Sequence, residues 1–157
     1  MLTTQQLAAL KADILADPVL SAQPMNSDGS FAIAAAYNLE ADPAFVVWRT
    51  NVPAQEIMSN GFVWTSVDAL TAGKARIWDW MTRYGSINPS KANVRQGLQD
   101  CFGAASAMVT GILPHLKRNA TRGERLLATG TGTNGTPGAL TFEGTLSYQD
   151  IEAARNS

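Results

Sequence analysis

Prolines set the grain of this chain. Pro18, Pro43, Pro53, Pro89 and Pro114 each fall where an apolar period breaks. Proline fixes its own backbone, disfavours helix at the residue before it and cannot donate to an interior hydrogen bond. A helix must therefore stop, start or kink at each of these five points, and the fold has to be assembled from separate pieces laid between them.

The pieces are readable. Thr3-x-x-Gln6 is a capping box opening a helix with Leu7, Leu10, Ile14 and Leu15 on one face, ended by Asp17-Pro18. Phe31, Ile33, Ala34 and Tyr37 predict a short helix behind Ser30. Residues 44–50, AFVVWRT, are β-branched and aromatic between two prolines, and predict a strand. Thr71 caps a helix striped by Ile77, Trp80, Met81 and Tyr84, stopped by Gly85. Asn88-Pro89 opens a long central helix in which Val94, Leu98, Cys101, Ala105, Met108, Val109 and Ile112 recur at three- and four-residue steps. Pro114 kinks or divides it. Thr121-x-x-Glu124 is a second capping box, and ALTFEGTLS, 139–147, predicts a strand interrupted at Gly144. Residues 148–155 are a last helix or a ragged tail.

The result is a mainly α chain with a small β element (α+β): a helical bundle with two or three strands and a Gly/Thr-rich arm. Residues 1–127 read as a mainly helical domain with one strand near 44–50. Residues 128–157 read as a glycine-rich connector, a strand and a C-terminal tail.

Gly130-Thr131-Gly132-Thr133-Asn134-Gly135 spells G-x-G-x-x-G. A dinucleotide loop needs a strand before those glycines and a helix opening within them, so that the helix N-terminus meets the pyrophosphate. Here a helix precedes and a strand follows, which turns a carbonyl-rich helix end toward the loop. The glycines read instead as a flexible connector with a glycine helix stop, which frees LTFEG, with Leu140 and Phe142, to reach elsewhere.

No other motif carries chemistry. Cys101 is the only cysteine and His115 the only histidine, so no disulfide, thiolate cluster or His-based metal site is expected within the chain. No acid/base pair or nucleophile–base spacing stands out, and the expectation is a non-enzyme without cofactor or metal. The N-terminal residues do not read as a signal peptide, and no apolar run is long enough to span a membrane.

Charge is sparse and unevenly placed. Residues 1–43 carry a net −4 and residues 72–125 a net +6, a polarity able to orient neighbouring copies. Trp48, Trp64, Trp78, Lys117, Arg118, Arg122, Arg125, Leu140 and Phe142 are the candidate interface residues. Trp78 and Trp80 cannot share one helix face, so either one of them lies outside as a contact anchor or the two enter separate cores or a helix–strand seam. The basic residues, with Lys91 and Arg95 added, read as partners for acids of a neighbouring copy; nucleic acid is the disfavoured alternative.

VVWRT (Val46–Thr50), VDALTAGKARIWDWM (Val67–Met81), SINPSKANVRQGL (Ser86–Leu98) and KRNATRGERLLATGTGT (Lys117–Thr133) followed by LTFEG resemble blocks of a group of small proteins. That group is encoded in the structural modules of tailed bacteriophages and prophages. The resemblance spans about residues 44–147 and supplies no catalytic residues. It implies a virion component made in the bacterial host cytoplasm: a ring-forming head–tail connector or tail protein, partnered by copies of itself and by portal or tail proteins. An assembly chaperone absent from the finished particle is the alternative within the same module.

Overall fold

A computed structural model describes residues 2–157, and the chain is α+β, with ten α-helices and six short strands arranged as three two-stranded sheets. Two compact units share it. A terminal unit is built from both ends, residues up to Val46 together with Asn119–Ser157; an inserted unit comprises Val47–Arg118. The contacts thus divide the chain at two points around residues 46 and 118, not after residue 127 as the linear pattern suggests. The reason is packing: the helices flanking the glycine-rich segment bury their apolar faces against the N-terminal helices.

In the terminal unit, α1 (Thr4–Ala16), α3 (Ser27–Tyr37), α9 (Arg122–Leu127) and α10 (Tyr148–Asn156) surround Leu10, Ile14, Ile33, Tyr37, Leu127, Leu146 and Ile151. Both expected capping boxes form, with Thr3 accepting from the Gln6 amide and Thr121 from the Glu124 amide. Ser147 and Asp150 make a third, which starts α10 as a true helix. Asp17 ends α1 and caps the one-turn α2 (Pro18–Ser21), accepting from the Val19 and Leu20 amides. Glu124 is fully buried, yet its carboxylate accepts from the amides of Thr121 and Gly144, each at 3.0 Å. Those bonds are what make a buried acid tolerable.

The glycine-rich segment is folded onto its own unit. β5 (Ala128–Thr129) pairs antiparallel with β6 (Ala139–Leu140). Between them the chain straps the Phe45 ring: a Cβ on Gly132 would lie 2.1 Å from Phe45 Cδ2, and one on Gly138 2.5 Å from Cε1. Val46 N–H donates to Gly132 O at 2.7 Å, and Gly138 N–H to Val46 O at 2.8 Å. Thr141 accepts from the Gln6 side chain, and Phe142 packs on the core. The expectation of a free joint that releases LTFEG is therefore corrected. Glycine is needed at 132 and 138, where the aromatic ring leaves no room for a side chain, and only 139–140 of the expected 139–147 strand is paired as a strand.

β1 (Val46–Trp48), the core of the expected strand, pairs with β4 (Lys117–Asn119) where the chain passes from one unit to the other; within the inserted unit β2 (Val52–Pro53) pairs with β3 (Ser86–Ile87). Around Val52, Ile57, Trp78, Leu98, Cys101, Met108 and Ile112 lie α4 (Ala54–Ser59), α5 (Trp64–Asp68), α6 (Ala72–Thr82), α7 (Ala92–Phe102) and α8 (Ala107–Ile112). The long central helix is two. Gly103 takes φ +86° and ends α7, and Ser106 restarts the chain by capping α8 through the Val109 amide. A 3-10 turn, Leu113–Leu116, then carries Pro114. No helix among the described residues is long and apolar enough to cross a membrane.

Candidate interaction surfaces

Trp48 gathers several of the sequence candidates. The Arg95 guanidinium carbon lies 4.6 Å from its ring centroid and Lys117 Nζ 5.3 Å, both within cation–π range. Arg95 is fixed there by donating to the carbonyls of Pro89 at 2.7 Å and Ser90 at 3.0 Å. Burial pushes the Lys117 ammonium below its ordinary pKa. One residue on, Arg49 clasps Glu56 through both carboxylate oxygens and donates to the His115 carbonyl at 3.0 Å. That clasp holds the Glu56 carboxyl below the usual range despite partial desolvation. Half-buried and closed in by its own unit, Trp48 is part of a structural cluster.

The other two tryptophan candidates separate. Trp64 is exposed and meets Phe62 edge-on at 4.7 Å. Trp78 is only 7% exposed and packs against Phe62 and Phe102, so its place as an interface residue is corrected: it belongs to the core. The stripe on α6 points the opposite way from a core face. Ile77, Trp80 and Tyr84 are 39%, 57% and 89% exposed. Periodicity marked the stripe, but it could not say which of two apolar sides of this helix is turned inward.

In the terminal unit the basic candidates have partners within the unit. Arg122 bridges Asp13 and Asp17, 3.0 Å to each, and lies 4.8 Å over the Tyr37 ring. Tyr37 donates to Asp13 at 2.6 Å, and burial followed by that bond raises its phenol pKa. Asp17 is held below the usual carboxylate range chiefly by the Leu20 amide, against desolvation, with Arg122 and the Val19 amide adding to it. Arg125 donates to the carbonyls of Asp42 and Pro43. Arg122 and Arg125 are thus engaged by their own chain, correcting the expectation that they wait for a neighbour's acids. Lys117 and Arg118 are half-buried. Leu140 is half-buried in β6, opposite Ala128.

Arg122 and Arg125 line a groove on the terminal unit together with Asp13, Asp17, Glu40 and Asp42 and with the apolar Ala36, Leu39 and Leu126, and its volume is about 700 Å³. Leu39 is 67% exposed within it. Among the described residues, no group of three or more His, Cys, Asp or Glu side chains is placed to hold a metal ion. Cys101 is buried, and burial pushes its thiol pKa up.

Charge separates by unit more sharply than along the sequence. The terminal unit carries nine acids against four Lys or Arg, a net −5; the inserted unit carries eight Lys or Arg against four acids, a net +4. Comparison of the chain with protein-family models, with curated proteins and with solved structures finds no match.

Proposed function

We propose that the chain is a structural component of a tailed-phage virion, a subunit that joins copies of itself head to tail into a ring at the head–tail junction or in the tail. The blocks quoted above supply the phage association. The observation that carries the pairing of unlike units is their opposite net charge, −5 and +4.

A two-fold contact confined to one unit would set like charge against like, whereas one that pairs the two units crosswise meets opposite charges as a head-to-tail contact does; the head-to-tail form is chosen on the phage resemblance. A head-to-tail contact sets the acidic unit of one copy against the basic unit of the next. Repetition of such a contact closes into a ring when the rotation between neighbours divides a full turn. The long-range part of this attraction is screened within about 10 Å at ordinary salt, so it orients copies more than it holds them.

The test is a proteomic inventory of washed, intact virions of a phage carrying this gene, with negative-stain imaging of the purified protein. Stoichiometric retention in the particle and ring-shaped oligomers are the expected results. A protein present in infected cells but missing from washed virions would sink the reading in favour of an assembly chaperone.

A further inference from the structure

The outer face of α6 has the wrong character for a solvated surface. Ile77 and Trp80, three residues apart on α6, share its outer side, and the exposed Tyr84 follows in the turn just past the helix end. Lys74, Arg76 and Arg83 are all exposed, and Asp79 on the same helix is paired with Arg83 at 2.7 Å. An apolar ridge with two aromatics and a basic rim is the composition of an interface centre, where aromatic side chains concentrate the energy.

We propose that this ridge docks into the acidic groove of a second copy of the chain. The inference rests on the head-to-tail reading above and names its two surfaces. The groove has the complementary chemistry: Ala36, Leu39 and Leu126 line it together with four carboxylates. Asp13 and Asp17 neutralise Arg122 between them, while Arg125 is turned to backbone carbonyls. Glu40, which accepts from the Asn119 side chain, and Asp42 supply the remaining negative charge to meet Lys74 and Arg76. The volume, about 700 Å³, has room for several large side chains.

One other exposed apolar face, Ala8, Ala12 and Leu15 on α1, is a poorer receptor for the same ridge. Its charged side chain is Lys11, which donates to Ser157, so it offers the basic side chains no cluster of carboxylates. Three ridge side chains fall short of the roughly 800 Å² per partner of a free-standing complex. Each contact is therefore weak, and closure of the ring supplies the persistence.

The experiment uses the full chain in sedimentation velocity and native mass spectrometry over rising concentration. Trp80→Glu removes the ridge, Leu39→Arg blocks the groove, and unchanged thermal unfolding confirms that both fold. Tyr84→Ser and Leu39→Ser are milder versions should either not. Wild type is expected to self-associate, and each variant alone to associate at least about tenfold more weakly. An equimolar mixture of the two variants should form dimers and stop there, because one intact ridge and one intact groove remain. Variants that assemble like wild type would overturn the ridge–groove contact while leaving a ring built through other surfaces. A wild-type chain that stays monomeric at every concentration also overturns it; the virion role is then decided separately by the particle inventory.

Discussion

Gly61 and Gly111 face each other backbone to backbone. A Cβ built on Gly111 would lie 2.2 Å from the Gly61 carbonyl oxygen, and one on Gly61 2.3 Å from that of Gly111. Gly111 is inside α8, where alanine ordinarily gains about 1 kcal/mol over glycine. The clash reverses the sign, because both obstacles are backbone and cannot rotate away. Gly111→Ala should lower stability by about 1–3 kcal/mol, measured by urea unfolding followed through tryptophan emission.

The three glycines of G-x-G-x-x-G should respond unequally. Gly132 has φ +64° and the Phe45 ring against it, whereas a Cβ on Gly135 meets nothing within 4 Å and its φ is not positive. Gly135→Ala should leave stability within about 0.5 kcal/mol. Gly132→Ala should cost about 1–3 kcal/mol and loosen the strap. Limited proteolysis should then cut within residues 128–138 several-fold faster, with cleavage in 47–118 unchanged. Equal sensitivity at both positions would contradict the strap.

Acidification should destabilise the protein through Asp17 and Glu56. Both have folded pKa values below the ordinary carboxylate range, Asp17 chiefly through the Leu20 amide and Glu56 chiefly through Arg49. A depressed folded pKa gives stability that is present above the unfolded value, about 4, and lost as pH falls through the folded one. Thermal midpoints should thus hold level down to about pH 5 and decline below it. Asp17→Asn keeps an oxygen to cap α2 but removes the charge, and the decline should become shallower.

Cys101 should be inert in the native protein. The thiolate is the reacting species, and burial both raises the thiol pKa and shuts out reagent. Alkylation near neutral pH should run at least about tenfold more slowly than in denaturant, followed by mass spectrometry. Rapid native labelling would place the α7 face containing Cys101 in solvent.

Trp80 against Trp78 shows where sequence reasoning reached its limit. Spacing identified the α6 stripe and showed that the two could not share one face, leaving open whether either lies outside. The outcome depends on Phe62 and Phe102, brought against Trp78 by the fold, and no local pattern encodes that. The caps at Thr3 and Thr121 were legible because their hydrogen bonds close within four residues. The break at Gly103 was not legible for the opposite reason: a glycine among small residues serves equally as a helix-packing surface or as a helix stop, and only its φ of +86° distinguishes them. The groove was invisible in the sequence. Its lining joins Asp13 and Asp17 to Arg122, more than a hundred positions away.

The discontinuous terminal unit has a consequence for synthesis. Everything that packs within Val47–Arg118 has been made before α9 and α10 exist. Until then, Leu10, Ile14, Ile33 and Tyr37 have no Leu127, Leu146 or Ile151 to cover them. On the ribosome the middle of the chain is therefore free to fold first, while the N-terminal helices wait with their apolar sides bare. The acidic groove is completed only when Arg122, Arg125 and Leu126 arrive, so a nascent chain can present its ridge to finished copies well before it can receive one.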